Sequence, residues 1–125
     1  IVTLYTIGIK AACTLSLVRI VLTGFTFGNP VSMIYSLAGG ILSLVIMILA
    51  KRSKTFSVTG VSVLGGVFHN FGQIMVAAVV VEMASLFYYL PVLILSGTIA
   101  GVAIGMLASI LIQRLIKMIE QNESK

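Results

Sequence analysis

Residues 55–81, TFSVTGVSVLGGVFHNFGQIMVAAVVV, carry no formal charge; Lys54 precedes them and Glu82 follows. Wound as a helix at 1.5 Å per residue, the stretch reaches about 40 Å, whereas a bilayer core about 30 Å thick needs about 20 apolar residues. The same pattern extends in both directions. No charge falls between Arg19 and Lys51, or between Glu82 and Arg114, so Val31 to Ala50 and Tyr88 to Ile112 are further spans. A chain with 59% hydrophobic and 9% charged residues has no water-soluble composition. The predicted fold class is all-α: a polytopic helix bundle integral to the cell membrane.

Five apolar segments make up that bundle, in a single domain over residues 1–118 with a polar cytoplasmic tail over 119–125. Ile1 to Ile9 reads as the end of a truncated helix stopped by Lys10, so at least one further span is expected upstream. Ala11 to about Gly28 is the second segment, with Arg19 near its centre. Asn29-Pro30 breaks the chain there, because proline starts helices well and disfavours helical geometry before it. Val31 to Ala50 is the third segment, Thr55 to Val81 the fourth, and Tyr88 to Leu115 the fifth. With the Lys51-Arg52-Ser53-Lys54 loop in the cytoplasm, the spans alternate without exception. Lys10, Arg114, Lys117 and Lys125 then also fall inside, while Asn29-Pro30 and Glu82 fall outside. Seven of the eight cations are cytoplasmic, and only Arg19 lies within the membrane.

Gly97, Gly101 and Gly105 recur every four residues, and Ser109 continues the series. Small residues at that spacing let helix backbones approach closely, and close contact drives helix association in lipid. Gly39-Gly40 and Gly65-Gly66 suit the same purpose.

The chemistry is bounded by what is missing. The chain has no aspartate, and its only acids are Glu82, Glu120 and Glu123. Mg²⁺-dependent diphosphate chemistry needs clustered carboxylates. No G-x-x-x-x-G-K-[ST] phosphate loop and no H-E-x-x-H motif occurs. The lone Cys13 excludes an internal disulfide and a cysteine metal cluster. The cations flank spans rather than forming a nucleic-acid stripe. No enzyme activity, cofactor or metal is expected of this chain alone.

One buried charge stands out. Arg19 costs at least about 2.5 kcal/mol at a helix centre, so it must face a polar interior. His69, Asn70 and Gln73 lie at similar depth, and their i, i+3 and i+4 spacings put them on one side of their helix. An arginine opposite that face makes an anion pocket, because the guanidinium grips phosphate or carboxylate with two parallel hydrogen bonds. The alternative is an interhelical hydrogen-bond network that only fixes packing. Asn29 and Tyr88 are candidates for the outer rim of the pocket, with interface anchoring and turn geometry as their other explanation.

Several motifs also resemble a known family. Leu17-Val18-Arg19-Ile20-Val21-Leu22-Thr23-Gly24, then Phe27-Gly28-Asn29, Tyr35-Ser36-Leu37-Ala38-Gly39-Gly40, Gly60-Val61-Ser62, His69-Asn70-Phe71-Gly72-Gln73 and Tyr88-Tyr89-Leu90-Pro91 resemble bacterial membrane proteins of the Gx transporter, or heptaprenyl diphosphate synthase component I, family. That family looks like the substrate-binding S subunits of energy-coupling-factor transporters, six-helix proteins with both termini cytoplasmic. The resemblance implies that the first helix is missing here, and that a transmembrane coupling subunit and ATPase subunits are partners. It implies capture of a small, anionic, vitamin-like or isoprenoid-related precursor. The competing expectation is a non-catalytic membrane component of heptaprenyl diphosphate or quinone synthesis, holding a prenyl chain between helices and its diphosphate on Arg19. A third is a structural subunit of a larger membrane complex.

Overall fold

Where each helix begins and ends follows from local chemistry. The computed structural model describes residues 1–124; Lys125, the last cation of the expected tail, lies outside the described residues. The order is α1 (Val2–Thr6), α2 (Ile9–Phe27), α3 (Pro30–Ser53), α4 (Val58–Val81), a 3₁₀ segment (Ala84–Tyr89) and α5 (Leu90–Glu123). Helices α2 to α5 each contain a stretch long and apolar enough to cross a membrane. Helix α1, with five residues, rises only about 7 Å.

The first break is set by Gly8 rather than Lys10. Gly8 sits at φ 126°, a conformation that side-chain-bearing residues rarely adopt, and nothing lies within 4 Å of where its Cβ would be. Backbone conformation, not space, demands glycine there. The Ile7 and Gly8 amides both bond the Thr3 carbonyl, and Lys10 falls in the first turn of α2. At α3, the Asn29 side chain accepts from the Ser32 amide at 2.8 Å. The Ser32 hydroxyl accepts in return from the Asn29 amide at 3.1 Å, a capping box completed by Pro30. Ser57 caps α4 by accepting from the Gly60 amide, which moves that helix start past Thr55. At the far end α5 does not stop at Leu115. It continues helically through Glu123, so residues 119–123 of the expected tail are an extension of the last helix.

The helices alternate in direction. Along the α4–α5 seam Gly97 meets Gly66, Gly101 meets Val63 and Gly105 meets Thr59. Along α3–α4, Gly39 meets Gly72 and His69, and Ser43 donates to the Gly65 carbonyl at 2.8 Å. Helix α2 runs against α3, with Gly24 beside Met33 and Ile20 beside Gly40. This pattern gathers Lys10, Lys51, Lys54 and the C-terminal half of α5 at one end. Lys51 also pins α1 there, since its Nζ donates to the Leu4 carbonyl and lies 4.7 Å from the centre of the Tyr5 ring.

Helix α4 is the centre of the bundle, flanked by α3 and α5. The paired glycines explain how. Successive helix residues point about 100° apart, so each pair serves two neighbours. Gly65 faces Met47 of α3 while Gly66 faces Gly97 of α5; Gly39 faces α4 while Gly40 faces Ile20 of α2. On α5 the buried face runs Gly97, Gly101, Gly105, Ala108 and Ile112. It passes to Ala108 instead of Ser109, because a helix of 3.6 residues per turn drifts off a strict four-residue period. Outward faces are apolar and exposed, as lipid contact requires: Leu15, Leu22 and Phe25 on α2, and Leu95, Ile99 and Leu107 on α5.

A Cβ at Gly101 would lie 2.5 Å from Val63 Cα and 3.0 Å from the Ser62 carbonyl oxygen, backbone atoms that can yield only if the helices part. At Gly60 the nearest atom would be 3.5 Å away, an ordinary contact. Gly101→Ala is therefore expected to lower the melting temperature in detergent by several degrees, and Gly101→Leu to prevent folding. Gly60→Ala should be neutral or should gain up to about 1 kcal/mol of helix propensity. Equal melting temperatures for Gly101→Ala and Gly60→Ala would rule out the close α4–α5 seam.

Candidate functional site

The weakest packing in the bundle is along α2, and that is where the space lies. A cavity of about 350 Å³ runs between α2, α3 and α4. A second, of about 300 Å³, lies between α3, α4 and α5. Arg19, Ser43, Met47 and His69 line both, so the two meet at mid-depth, and Ile1 of the α1 segment reaches the same place. The first cavity owes its volume to small residues. Ser16 and Gly24 on α2 oppose Ser36 and Gly40 on α3, where larger side chains would close the seam.

Arg19 and His69, which the sequence places at similar depth, share these walls. Among the described residues Arg19 has no acidic partner: the three glutamates lie at Glu82 in the α4 C-cap and at Glu120 and Glu123 near the end of α5. His69 lies against the α3 backbone, its Nδ1 3.1 Å from where a Gly39 Cβ would be. Gln73 packs on the same glycine through its Cγ and lines neither cavity. Asn70 turns the other way. Its side-chain amide donates to the Leu93 carbonyl of α5 at 2.8 Å, and it lines only the second cavity. The polar trio of α4 thus divides between two neighbours, because consecutive residues on a helix cannot point the same way.

The outer-rim candidates lie elsewhere. Asn29 spends its side chain capping α3, although its neighbours Gly28 and Ser32 line the first cavity. Tyr88 is 86% exposed in the 3₁₀ segment and lines neither cavity. Gly97 and Gly101 border the second cavity from the α5 seam, whereas Gly105 packs on Thr59 beyond it.

What sequence reasoning missed is the row of hydroxyls. Ser16 and Thr23 project from α2, and Ser32, Ser36 and Ser43 from α3, into the first cavity. The signal is present as a stripe, since 32, 36 and 43 share one helical face. Their hydrogen bonds sort them. Thr23 donates to the Arg19 carbonyl at 2.7 Å and Ser43 to the Gly65 carbonyl, so these two oxygens are left to accept, while Ser32 both donates to the Asn29 carbonyl at 2.9 Å and accepts from the Asn29 amide in its capping box. Among the described residues Ser16 and Ser36 make no such bond, and both line the first cavity with Arg19. Arg19, Ser16 and Ser36 together form a donor set suited to an anion.

Among known proteins, the family model described as heptaprenyl diphosphate synthase component I matches residues 1–111. No curated protein and no solved structure matches the chain.

Asn70 and Arg19 should separate in a mutant series. Asn70→Ala removes an interhelical bond worth about 0.6–1.7 kcal/mol in membrane proteins. It should lower the melting temperature while leaving anion binding within about twofold. A larger loss of binding than of stability would place Asn70 among the ligand contacts.

Proposed function

We propose, from the premise that this chain belongs to the heptaprenyl diphosphate synthase component I family, that it is a non-catalytic, multi-pass membrane component that holds a diphosphate-bearing isoprenoid for a catalytic partner. The observation that carries this reading is Arg19, a cation with no acid beside it among the described residues, on the wall of a cavity that Ser16 and Ser36 also line. A diphosphate supplies the missing negative charge and enough acceptor oxygens for all three donors. Non-catalytic fits the composition. Transferring a prenyl group requires metal ions held on clustered carboxylates, and this chain has no aspartate. The reaction therefore belongs to another protein, which makes a protein partner part of the proposal. Residues 1–118 act as one domain in this reading, with the loop around Lys51 and the C-terminal residues in the cytoplasm.

A second reading is favoured by one specific feature. The first cavity extends to Gly28 and Ser32, at the α2–α3 turn that the charge pattern assigns to the outside. A small anionic solute entering there is what a substrate-binding subunit of an energy-coupling-factor-type importer captures, with a coupling subunit and ATPases as partners.

Arg19→Gln tests the site common to both readings. It is expected to reduce inorganic pyrophosphate binding at least about 100-fold, the order of a lost charge-assisted pair, while the melting temperature of the ligand-free protein holds or rises. Arg19→Lys should recover only part of the affinity, because an ammonium lacks the two-pronged geometry. If Arg19→Gln misfolds and a folded Ser36→Ala binds pyrophosphate normally, the pocket is not an anion site. Supply of a vitamin-like solute to intact cells, lost with Arg19→Gln, would select the importer.

Orientation has its own test. Single cysteines at Ser53 and Ser124, in a Cys13→Ala background, should resist impermeant thiol reagents in intact cells and react after lysis. Labelling from outside at either position would reverse the assignment.

A further inference from the structure

The two cavities meet around Arg19, Ser43, Met47 and His69, and these four side chains are not equally free. Ser43 is tied to α4 by its bond to the Gly65 carbonyl, and His69 lies against the α3 backbone at Gly39. Arg19 is the cation of the proposed anion site. Met47 stands one helical turn past Ser43, and its thioether rests on Gly65, with Sδ 2.7 Å and Cγ 2.9 Å from where a Gly65 Cβ would be. Methionine is unbranched, with three rotatable bonds and a polarizable sulfur that adapts to irregular neighbours. Of the four, it is the one that can shift to widen or narrow the passage between the cavities.

The two sides of that passage differ in chemistry. On the first side Ser16 and Ser36 stand with Arg19, and their hydroxyls are uncommitted among the described residues. On the second side the donors of Ser43 and Asn70 are already spent on the Gly65 and Leu93 carbonyls. Apart from the Ser62 and Ser96 hydroxyls, much of the remaining wall is hydrocarbon: Ala100 and Ile104 of α5, and the bare backbone of Gly66, Gly97 and Gly101. Joined in this way, the cavities suit one molecule with an anionic head and an apolar continuation. In lipid that continuation gains little merely by leaving the bilayer, so it enters the second cavity only as far as it fits there. Met47 adjusts the fit.

We infer that Met47 is the threshold of a two-part site: the diphosphate head sits in the first cavity on Arg19, Ser16 and Ser36, the first isoprene units pass over Met47 into the second cavity, and the position of the thioether decides how well the chain is received. The inference rests on the diphosphate reading above. It gives Met47 a role in selecting the apolar part of the ligand that is separate from the grip on its head. It also gives Gly65 a second task, since the missing side chain is what lets the thioether lie back against α4.

The test uses the full chain in phosphatidylcholine nanodiscs with two ligands, inorganic pyrophosphate for the head alone and farnesyl diphosphate for head and chain. Met47→Phe sets a rigid ring in the passage. Ala100→Leu fills the second cavity from α5, at a residue that does not line the first. Each is expected to weaken farnesyl diphosphate at least about tenfold and to leave pyrophosphate within about threefold, in protein whose melting temperature shows that it is folded. Met47→Leu, a swap that nearly conserves volume, should keep both ligands within about threefold. Gly65→Ala should act like Met47→Phe although the methionine is unchanged, because the added methyl pushes the thioether forward. Equal losses of both ligands in Met47→Phe, or farnesyl diphosphate binding untouched by either Met47→Phe or Ala100→Leu, would overturn the inference while leaving the diphosphate reading intact. Failure of the unmodified protein to bind either ligand would overturn that reading with it. A last arm separates a free ligand from a lipid headgroup. Adding phosphatidylglycerol to the nanodiscs should leave both affinities within about threefold; their abolition would assign Arg19 to a lipid phosphate and overturn inference and reading together.

Discussion

The fold depends on backbone-to-backbone contact along α4. In lipid, apolar side chains gain nothing by leaving the solvent, so helices associate only where they fit closely or share hydrogen bonds. Helix α4 meets that condition on two sides at once. Gly72 and Gly65 admit α3, and Gly66 with the Val63–Ser62 and Thr59 backbone admits Gly97, Gly101 and Gly105 of α5. Two interhelical hydrogen bonds reinforce the seams, Ser43 to Gly65 on one side and Asn70 to Leu93 on the other. Helices α3, α4 and α5 therefore form a slab whose spacing is fixed by atoms that cannot rotate away.

Helix α2 stands outside that slab, and the cavity follows from the difference. Its contacts with α3 pass through side chains, Met33 against Gly24 and Ile20 against Gly40, which keep the backbones apart. Between those two contacts the cavity is lined by Thr23 and Ser36, and past the second by Ser16 and Ser43, side chains too small to fill the gap. A loosely joined helix is also the least costly place for an arginine, because the gap admits polar groups to its guanidinium. The first cavity thus lies along the loosest seam of the bundle, and local stability should be lowest there.

Much of this is legible in the sequence. Charge-free runs set the number, type and order of the long helices, because the requirement for about 20 apolar residues is strict. Boundaries are less legible, since apolar residues look alike on either side of a break. The stops are single features: a left-handed Gly8, an Asn29–Ser32 capping box, a Ser57 cap. The end of α5 escapes a reading by polarity, because polarity marks where a helix leaves the membrane and not where it ends. Gln113 to Glu123 is polar enough to leave the membrane and still helical. At the site, depth is readable and direction is not. Arg19 and His69 meet because mid-span residues of neighbouring helices share a level. Asn70 and Gln73 share that level too, but which neighbour each faces depends on how α4 is rotated, and nothing in one sequence fixes that angle. The serine stripe on α3 is hard to see for a chemical reason: serine is a common packing residue in membrane helices, and only its opposition to Arg19 gives it meaning.

The charge balance of the membrane interior leads one step further. Each of the three glutamates lies at a helix end, so none among the described residues stands at the depth of Arg19. A buried ion pair within the fold would satisfy the arginine permanently and close the site, as paired charges in membrane proteins generally do. In the proposed anion-site reading, leaving the guanidinium without an acid keeps its charge available and makes the ligand part of the electrostatic balance. Folding in the empty state then rests on the α3–α4–α5 slab, which contains no charge at mid-depth. The unpaired cation is carried by α2, the helix whose displacement costs least. Because the close contacts of α3, α4 and α5 are made without α2, the bundle can carry an arginine on α2 without drawing its main packing through that charge.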